Sequence, residues 1–389
     1  VHNRRTYPHL VRLFAELGIP TRETDMTMSV RCRGCGLEYA GGKQAAGLLP
    51  RAGREVWRAY ARMLTEIPRF HRDARRLLAG AGPEEAAPRQ QADSGQQAGT
   101  GQQAGSGQQA ASGQGGPTLG DVLSAGRYSA YFADHFALPL VSAVWSAGED
   151  ISPRYPARHL FAFLDQHGLL DTRAAAKWRT VAGGSRTYVE RIGARLSTVR
   201  TATPVRAVRR HADGVEVVDD SGAVHAVDRV VIATHADQAL ALLADPTAAE
   251  KQILGAFTYS RNEVWLHTDS SVLPAARRSR ASWNYLKSAC HGGERAVVSY
   301  DMNRLMRLSE PQDHIVTLNG EPHVDASSVL ARMTYEHPVY TLDAVAAQRR
   351  LAELNHPRVA YAGAYQGWGF HEDGCASGVR AAAAFGVSW

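Results

Sequence analysis

The sequence predicts an α/β protein that also contains an α+β part, with an antiparallel sheet and a helical lobe. Two stretches predict the α/β part, because strand-like, glycine-rich and helix-like runs follow one another at residues 178–236 and again at 346–389. Alternating apolar and polar segments at 237–345, and apolar residues at helical spacing in much of 1–177, predict the α+β part. With 389 residues and 44% hydrophobic content, the chain is long enough for two domains with sizeable cores.

Charge and composition argue against several classes of protein. The net charge is +6, but arginine is spread along the chain beside Asp and Glu and forms no sustained basic block, which argues against nucleic-acid binding. No apolar run approaches the roughly 18 residues of a membrane helix, so we predict no transmembrane segment and leave peripheral membrane contact and oligomeric state open. Four cysteines are too few for a disulfide framework and no secretory signal is visible, so a cytoplasmic location is predicted.

The first 170 residues are predicted to be mainly helical. Apolar spacing predicts a helix at 6–18 that ends on a glycine, and a long helix at 56–78 in which Pro68 should cause a kink or a break. Thr118 is predicted to cap a helix, and two more helices follow at 130–146 and 156–167. Residues 90–116 repeat a pattern of Gly, Gln, Ala and Ser that cannot bury a core, so they are predicted to be a disordered surface insertion.

A cysteine pair, Cys32-Arg33-Gly34-Cys35, has the spacing of a zinc knuckle or a redox motif. No second pair follows it, and Cys290 and Cys375 lie far away in sequence. The pair also lies between two strand-like runs, at 26–31 and 37–40, as the turn of a hairpin would. We therefore predict a hairpin turn here and no metal site.

The middle block repeats the order of strand, glycine turn and helix. Gly183, Gly184 and Ser185 precede a predicted helix at 187–196. Strands at 204–208 and 215–218 are joined by Ala-Asp-Gly at 212–214, which is typical of a hairpin. The run at 228–234 is predicted to be a buried strand.

The closing stretch has the clearest pattern. Residues 358–362 alternate like a short buried strand, residues 363–374 read Gly-Ala-Tyr-Gln-Gly-Trp-Gly-Phe-His-Glu-Asp-Gly, and the Ala-rich run at 375–385 predicts a helix. Glycines remove side chains where a flat ligand can lie, and amides at a helix start favour an electron-rich or anionic partner. The alternative is an ordinary strand-to-helix turn capped by Asp373, although such a turn needs only about one or two glycines.

This closing stretch resembles the C-terminal FAD-binding segment of the flavin-containing amine oxidase superfamily, in particular its bacterial branch of predicted FAD-dependent oxidoreductases. The middle block is similar in order and spacing to the middle FAD-binding block of those enzymes. The resemblance implies a glutathione-reductase-like FAD/NAD(P)-binding domain, with FAD as the cofactor. It implies contacts with FAD from Gly183, Gly184, Ser185, Val205, Gly363, Tyr365, Phe370, Glu372, Asp373 and Gly374.

Within that set the resemblance implies different roles. The backbone at Val205 would meet the adenine ring, and Gly183 and Gly184 would line the approach to the flavin. Tyr365 and Phe370, with Trp368, would pack against the flavin ring. Glu372 or Asp373 would bind ribityl hydroxyls or cap the helix, and the amides after Gly374 would face the C2 carbonyl of the flavin.

The resemblance also implies that each domain is assembled from separated stretches. The substrate domain would comprise residues 1–177 and 237–345, and the FAD-binding domain 178–236 and 346–389. A dinucleotide-binding fold needs a strand, a Gly-x-Gly-x-x-Gly turn and a helix, and the sequence does not contain that turn. The family places this element before the Asn-Arg-Arg-Thr-Tyr-Pro run, so we expect the FAD-binding domain to be incomplete at its N-terminus.

The predicted function is oxidation of a small amine or a hydrophobic, unsaturated molecule by hydride transfer to flavin N5. Two alternatives remain, namely a desaturase or isomerase of lipid or isoprenoid chains, and a non-catalytic remnant with impaired FAD binding. His371 is a candidate acid or base, and Trp145 and Asn284 are candidates for the substrate wall. Lys287 is not chosen because its surroundings do not match the flavin-facing lysine of amine oxidases. Motifs of serine hydrolases, P-loop NTPases and zinc proteases are absent from the sequence.

Overall fold

A computed structural model describes residues 1–42, 47–80, 116–170, 177–292 and 295–389 of the chain. The predicted disordered insertion at 90–116 lies outside the described residues except for Gly116. The principal α-helices are α1 (Pro8–Glu16), α2 (Trp57–Ala79), α3 (Leu119–Ala125), α4 (Ala130–Phe132), α5 (Leu138–Trp145), α6 (Ala157–Gln166), α7 (Arg186–Gly193), α8 (Ala236–Leu242), α9 (Ala248–Leu254), α10 (Met302–Met306), α11 (Leu342–Gln348) and α12 (His371–Ala384).

Four sheets are formed by the described residues. Their strands are β1 (Thr21–Glu23), β2 (Met28–Cys32), β3 (Glu38–Gly41), β4 (Arg179–Val181), β5 (Val205–Arg210), β6 (Val215–Asp219), β7 (Val224–Val227), β8 (Val230–Ile232), β9 (Thr258–His267), β10 (Trp283–Lys287), β11 (Val297–Asp301), β12 (Ile315–Leu318), β13 (Val329–Val339) and β14 (Val359–Tyr361). In most of these strands, buried and exposed side chains alternate only in part, because several strands are buried on both faces.

The largest sheet has seven strands in the order β13-β9-β12-β11-β10-β2-β3. The predicted antiparallel sheet is confirmed in the pairs from β13 to β10, and the predicted N-terminal hairpin is confirmed as the antiparallel pair β2–β3. One pair differs, because β10 lies parallel to β2, with Cys32 opposite Lys287. This parallel pair joins the hairpin near the N-terminus to strands more than 240 residues further along the chain, so chain segments that follow β2 and β10 leave the sheet at the same edge.

Two smaller sheets belong to the predicted glycine-rich blocks. Strands β5, β6 and β7 form an antiparallel meander, which confirms the hairpin predicted in the middle block. Strands β8 and β14 form a two-stranded parallel sheet, with Val230 opposite Val359. The middle and closing blocks are therefore neighbours in space, and each leads from its parallel strand toward the same end of this small sheet.

Helices α2 to α6, which we call the helical lobe, pack on the seven-stranded sheet. The core of the lobe contains large side chains that are almost fully buried, among them Tyr60, Met63 and Phe70 of α2 and Phe161 of α6. Of the predicted kink or break at Pro68, the break does not occur, since α2 runs through it as one helix. Burial of one apolar face of a long helix offsets the cost of about 3 kcal/mol of an interior proline.

The helix predicted at 130–146 is also more complex than expected. It consists of α4, a π-helical turn at Ala133–Ala137, and α5. Thr118 caps α3 as predicted, because the amide of Asp121 donates to its hydroxyl at 3.2 Å. No helix of the described ranges combines the length and the apolar character needed to cross a membrane.

Candidate active site

The closing glycine loop, residues 363–370, connects β14 to α12 and is held by side chains from both of its flanks. The amide of Gly363 donates to the hydroxyl of Ser377 at 2.8 Å. Gln348 Nε2, at the end of α11, donates to the carbonyl oxygens of Tyr365 at 2.7 Å and Gly367 at 2.6 Å. These bonds fix the backbone path of the loop, which then presents Trp368 and Phe370 as partly exposed rings.

Two loop glycines are required by the packing of the chain itself. A Cβ atom at Gly367 would lie 2.1 Å from Oδ1 of Asp373. Gly369 has a φ of +92°, which disfavours other residues, and a Cβ there would lie 3.0 Å from the hydroxyl of Tyr340. At Gly374, by contrast, a Cβ would meet nothing within 4 Å. Open space therefore lies beside Gly374 in the first turn of α12.

The two carboxylates of the motif both serve as helix caps. Asp373 Oδ2 accepts a hydrogen bond from the amide of Phe370 at 2.9 Å, so it caps α12 as the sequence suggested. Desolvation raises the pKa of Asp373 to about 6. Glu372 accepts from the amides of His9 at 3.1 Å and Leu10 at 3.0 Å, so it caps α1. Of the two expected roles, ribityl binding and capping, the observed contacts are those of capping.

The glycine turn of the middle block leads into a helix that contacts the start of α12. Gly183 and Gly184 have φ values of +81° and +85°, and α7 begins directly after them. Tyr188 of α7 hydrogen bonds through its hydroxyl to Nδ1 of His371, at 2.9 Å. Ser185 precedes α7 but makes no side-chain cap bond. Helix α7, which follows the middle glycine turn, thus contacts the start of α12.

Val205 begins β5 and is paired with Asp219 of β6, and the residue is 37% exposed. The prediction that its backbone meets the adenine ring stays a prediction.

Aromatic side chains from the helical lobe contact the closing loop. Trp145 is buried, and its Nε1 donates to the carbonyl oxygen of Trp368 at 2.9 Å. Phe163 stacks on Phe370 with ring centres 5.1 Å apart. We name eight neighbouring rings around this contact the aromatic wall, and its members are Trp145, Tyr155, His159, Phe163, His167, Tyr340, Trp368 and Phe370.

Four buried polar atoms at or next to this wall have no hydrogen-bond partner among the described residues. They are Nε2 of His159 and the hydroxyls of Tyr155, Tyr340 and Tyr365. A buried polar group without a partner costs about 1–3 kcal/mol, so such atoms are expected to bond to a bound molecule. Burial lowers the pKa of His159 to about 3 and keeps its ring neutral.

Asn284 is fully engaged within the sheet. Its Oδ1 accepts from Ser29 at 2.7 Å and from the amide of Ala281 at 2.9 Å, and its Nδ2 donates to the carbonyl oxygens of Ala281 and Ser299. Both donors and both lone pairs of the side-chain oxygen are used, so its amide has nothing left to offer a substrate. Its predicted place in the substrate wall is untested, but these bonds indicate a structural role.

Lys287 is buried and forms an ion pair with Glu149, which also accepts from the hydroxyl of Tyr285 at 3.0 Å. This buried group lies at the end of β10. The pair satisfies the lysine charge inside the protein. The omission of Lys287 from the candidate flavin contacts stays a prediction.

The cysteine pair has neighbours that the sequence did not reveal, and the prediction of no metal site stays untested. The predicted turn after β2 is confirmed, but Cys290 is not remote in space: its sulfur lies 3.8 Å from that of Cys32. His135 also reaches the pair, with Nε2 at 3.6 Å from the sulfur of Cys35. Cys290 is far from Cys32 in sequence, but the parallel pairing of β2 and β10 brings the two residues together.

The family model for flavin containing amine oxidoreductases matches residues 1–385. The chain therefore belongs to the flavin-containing amine oxidoreductase family, and it is an FAD-dependent oxidoreductase of that family. No curated protein matches the chain.

Solved structures of similar fold include cyclohexylamine oxidase from Brevibacterium oxydans IH-35A, with 14% identity and a TM-score of 0.61 over 98% of this chain and 85% of that one. Putrescine oxidase bound to putrescine has 13% identity and a TM-score of 0.59 over 97% and 85% of the two chains. A fatty acid isomerase from P. acnes that produces CLA has 13% identity and a TM-score of 0.61 over 98% and 85%. At such low identity these structures establish the fold.

The residues around the closing loop fit the flavin part of FAD. Open space lies beside Gly374 at the start of a helix, and unpartnered polar atoms and partly exposed rings lie near the loop. A planar, electron-rich ring system suits both features.

Proposed function

We propose that the chain oxidises a small amine or a hydrophobic, unsaturated substrate at the aromatic wall, by hydride transfer from a substrate carbon to N5 of FAD. The observation that carries this proposal is the hydrogen bond from Trp145 to the carbonyl oxygen of Trp368, 2.9 Å long. It joins the helical lobe to the closing loop and so fixes the substrate surface relative to the flavin surface. When bound, FAD supplies the hydride acceptor, and the chain supplies positioning and exclusion of water.

The aromatic wall would bind the apolar body of the substrate. Trp368 and Phe370 are partly exposed, whereas Trp145 and Phe163 behind them are buried. The buried pair leaves the outer rings little freedom to move, so they form a rigid apolar surface. Such surfaces with few polar groups are typical of sites for small molecules.

His159 and Tyr340 are proposed to orient the substrate or the edge of the flavin ring. Their rings stack at 4.7 Å, and Nε2 of His159 and the hydroxyl of Tyr340 have no partner among the described residues. Because His159 stays neutral, it does not repel an ammonium group, and Trp368 can attract one through its ring face. Both proposed substrate classes are therefore compatible with the wall.

His371 remains our candidate acid or base. Tyr188 orients its ring by bonding to Nδ1, at 2.9 Å, so proton exchange would use Nε2.

We also propose that residues 1–177 and 237–345 form the substrate domain and that 178–236 and 346–389 form the FAD-binding domain. The pairing of β8 with β14 supports this division, because it joins residues 178–236 to residues 346–389.

A second candidate function is desaturation or isomerisation of a lipid or isoprenoid chain. The apolar character of the aromatic wall favours it. The FAD-loaded protein is mixed without oxygen with cyclohexylamine or with linoleic acid. Loss of the visible flavin absorption with the amine supports amine oxidation, and loss with the fatty acid supports oxidation or desaturation of an unsaturated chain. An isomerised fatty acid with unchanged flavin absorption supports the isomerase.

Trp368→Ala should abolish the response to either substrate, and Trp57→Ala is its matched control, because Trp57 is 44% exposed on α2. Equal responses of the two variants would contradict a substrate site at the wall. A protein that takes up no FAD would favour the non-catalytic alternative.

A further inference from the structure

Four potential metal ligands converge outside the candidate active site. Cys32 ends β2, Cys35 lies in the following turn, His135 lies in the π-helical turn before α5, and Cys290 follows β10. Their ligand atoms all lie within 4.8 Å of one another. Three separate stretches of the chain therefore supply one compact group of soft donor atoms.

The distances match a tetrahedral site. With bonds of about 2.3 Å to sulfur and about 2.0–2.1 Å to nitrogen, tetrahedral zinc separates two sulfurs by about 3.8 Å and a sulfur and a nitrogen by about 3.6 Å. The sulfurs of Cys32 and Cys290 are 3.8 Å apart, and the sulfur of Cys35 is 3.6 Å from Nε2 of His135. A disulfide would need sulfurs about 2.05 Å apart.

His135 is oriented as a metal ligand. Its Nδ1 lies 3.1 Å from the carbonyl oxygen of Tyr131, which can only accept, so Nδ1 carries the proton. The lone pair of Nε2 therefore faces the sulfur of Cys35. The ring is fully buried and stacks on Tyr131, with centres 4.0 Å apart. A backbone carbonyl that fixes the second ring nitrogen is typical of metal-bound histidines.

The backbone around the cysteines is built for close approach. A Cβ atom at Gly34 would lie 2.8 Å from the amide nitrogen of Cys290, so a residue with a side chain would push the two segments apart. The amide of Arg33 donates to the carbonyl oxygen of Lys287 at 2.8 Å, which ties the turn to the end of β10. Cys32 is buried, whereas Cys35 and Cys290 are partly exposed, which leaves a path for an ion from solvent.

We propose that Cys32, Cys35, Cys290 and His135 bind one Zn²⁺ ion in a structural site with four protein ligands. Three thiolates and one neutral imidazole are a common ligand set of structural zinc. Binding replaces up to three thiol protons, which pass to solvent, and involves no oxidation or reduction. The ion ties the β2–β3 turn and the segment after β10 to the helical segment that ends at Trp145, so it braces the sheet against the lobe.

The test measures metal in the full chain, purified without chelators after growth in medium with added zinc. We expect about one zinc per chain by elemental mass spectrometry. Cys35→Ser and Cys290→Ser should bind zinc more weakly by more than about 100-fold, the upper range for loss of a residue that only supports a ligand. Cys375→Ser is the matched control, because Cys375 lies in α12 outside the cluster, and it should keep its zinc.

A second measurement does not depend on the folding of variants. The wild-type chain is reduced, stripped with a chelator and titrated with Co²⁺. Intense absorption bands of tetrahedral, thiolate-bound Co²⁺ that zinc abolishes would support the site. Absence of both zinc and these bands would overturn the proposal, as would a disulfide between any two of the three cysteines in the protein isolated under non-reducing conditions.

Discussion

The closing loop and the cysteine cluster differ in the size of the ligand for which they leave space. Around Gly374, the chain leaves room beside a helix start, and neighbouring rings and polar atoms remain partly exposed or unpartnered. Around Cys32, the donor atoms already face one another at 3.8 Å and 3.6 Å, with room for a single ion at their centre. The first arrangement suits a large planar molecule and the second a bare cation.

The two regions also differ in what holds them. The loop is held by hydrogen bonds from neighbouring side chains, such as those of Gln348 and Ser377. The cysteine cluster is held by strand pairing, since β2 and β10 run parallel and end together. We therefore expect the loop to keep its shape without FAD, and the metal to add stability to segments that strand pairing already brings together.

Removal of metal should produce the largest effect. Free zinc at about 1,000 times its dissociation constant stabilises the folded state by about 4 kcal/mol. Chelation should therefore lower the melting temperature in calorimetry, and added zinc should restore it. The Cys290→Ser variant should show no response to chelator. A wild-type melting temperature that is the same with and without chelator would mean that the cluster binds no stabilising ion.

The Gly367→Ala substitution should have the second-largest effect on stability. Its Cβ would lie 2.1 Å from Oδ1 of Asp373, so the change forces the loop and the α12 cap apart. We expect a loss of about 2–4 kcal/mol in the free energy of unfolding, from overpacking and loss of the cap. Gly193→Ala, where a Cβ meets nothing within 4 Å, should be neutral or stabilising by up to about 1 kcal/mol. Urea unfolding measures the free energy of unfolding of both variants. Similar losses in the two would contradict a close contact between Gly367 and Asp373.

The aromatic wall should make stability depend on pH. Burial lowers the pKa of His167 to about 4 from 6.5, so between these values the unfolded chain binds more protons than the folded chain. Stability from this group is complete above about pH 6.5 and falls as the pH drops toward 4. His159, with a pKa of about 3, acts in the same direction.

His167→Gln should therefore flatten the fall in the free energy of unfolding between pH 6.5 and 4, by on the order of 2 kcal/mol. Urea unfolding at several pH values measures this. Parallel pH profiles for the variant and the wild-type chain would contradict a neutral, buried His167.

Trp145→Phe should have the smallest effect on stability. It removes the donor to the carbonyl oxygen of Trp368 and should cost about 1 kcal/mol, with a lower kcat/KM because the loop loses its link to the lobe. Trp283→Phe is a matched control, since the buried Nε1 of Trp283 has no partner in the described part of the chain. Stability and steady-state kinetics of the two variants should differ, and equal values would leave the Trp145 bond without a role.

Contiguous patterns were predictable from the sequence, and contacts between distant segments were not. The strand, glycine loop and helix at the C-terminus follow from local spacing, and so do the β2–β3 hairpin and the meander of the middle block. The capping of α1 by Glu372 was not foreseen, because it joins residues 362 or more positions apart. The approach of Cys290 to Cys32 depends on one parallel strand pair that no local pattern specifies.

A titration of the purified chain with FAD, followed by flavin fluorescence, tests the central claim most directly. Gly374→Leu places a side chain in the open space at the start of α12, and Gly378→Leu places one in open space one helical turn further on. We predict that the wild-type chain and Gly378→Leu bind FAD, and that Gly374→Leu binds it at least about tenfold more weakly, which corresponds to about 1.4 kcal/mol. Equal affinities for the two variants, or no FAD binding by the wild-type chain, would contradict this prediction.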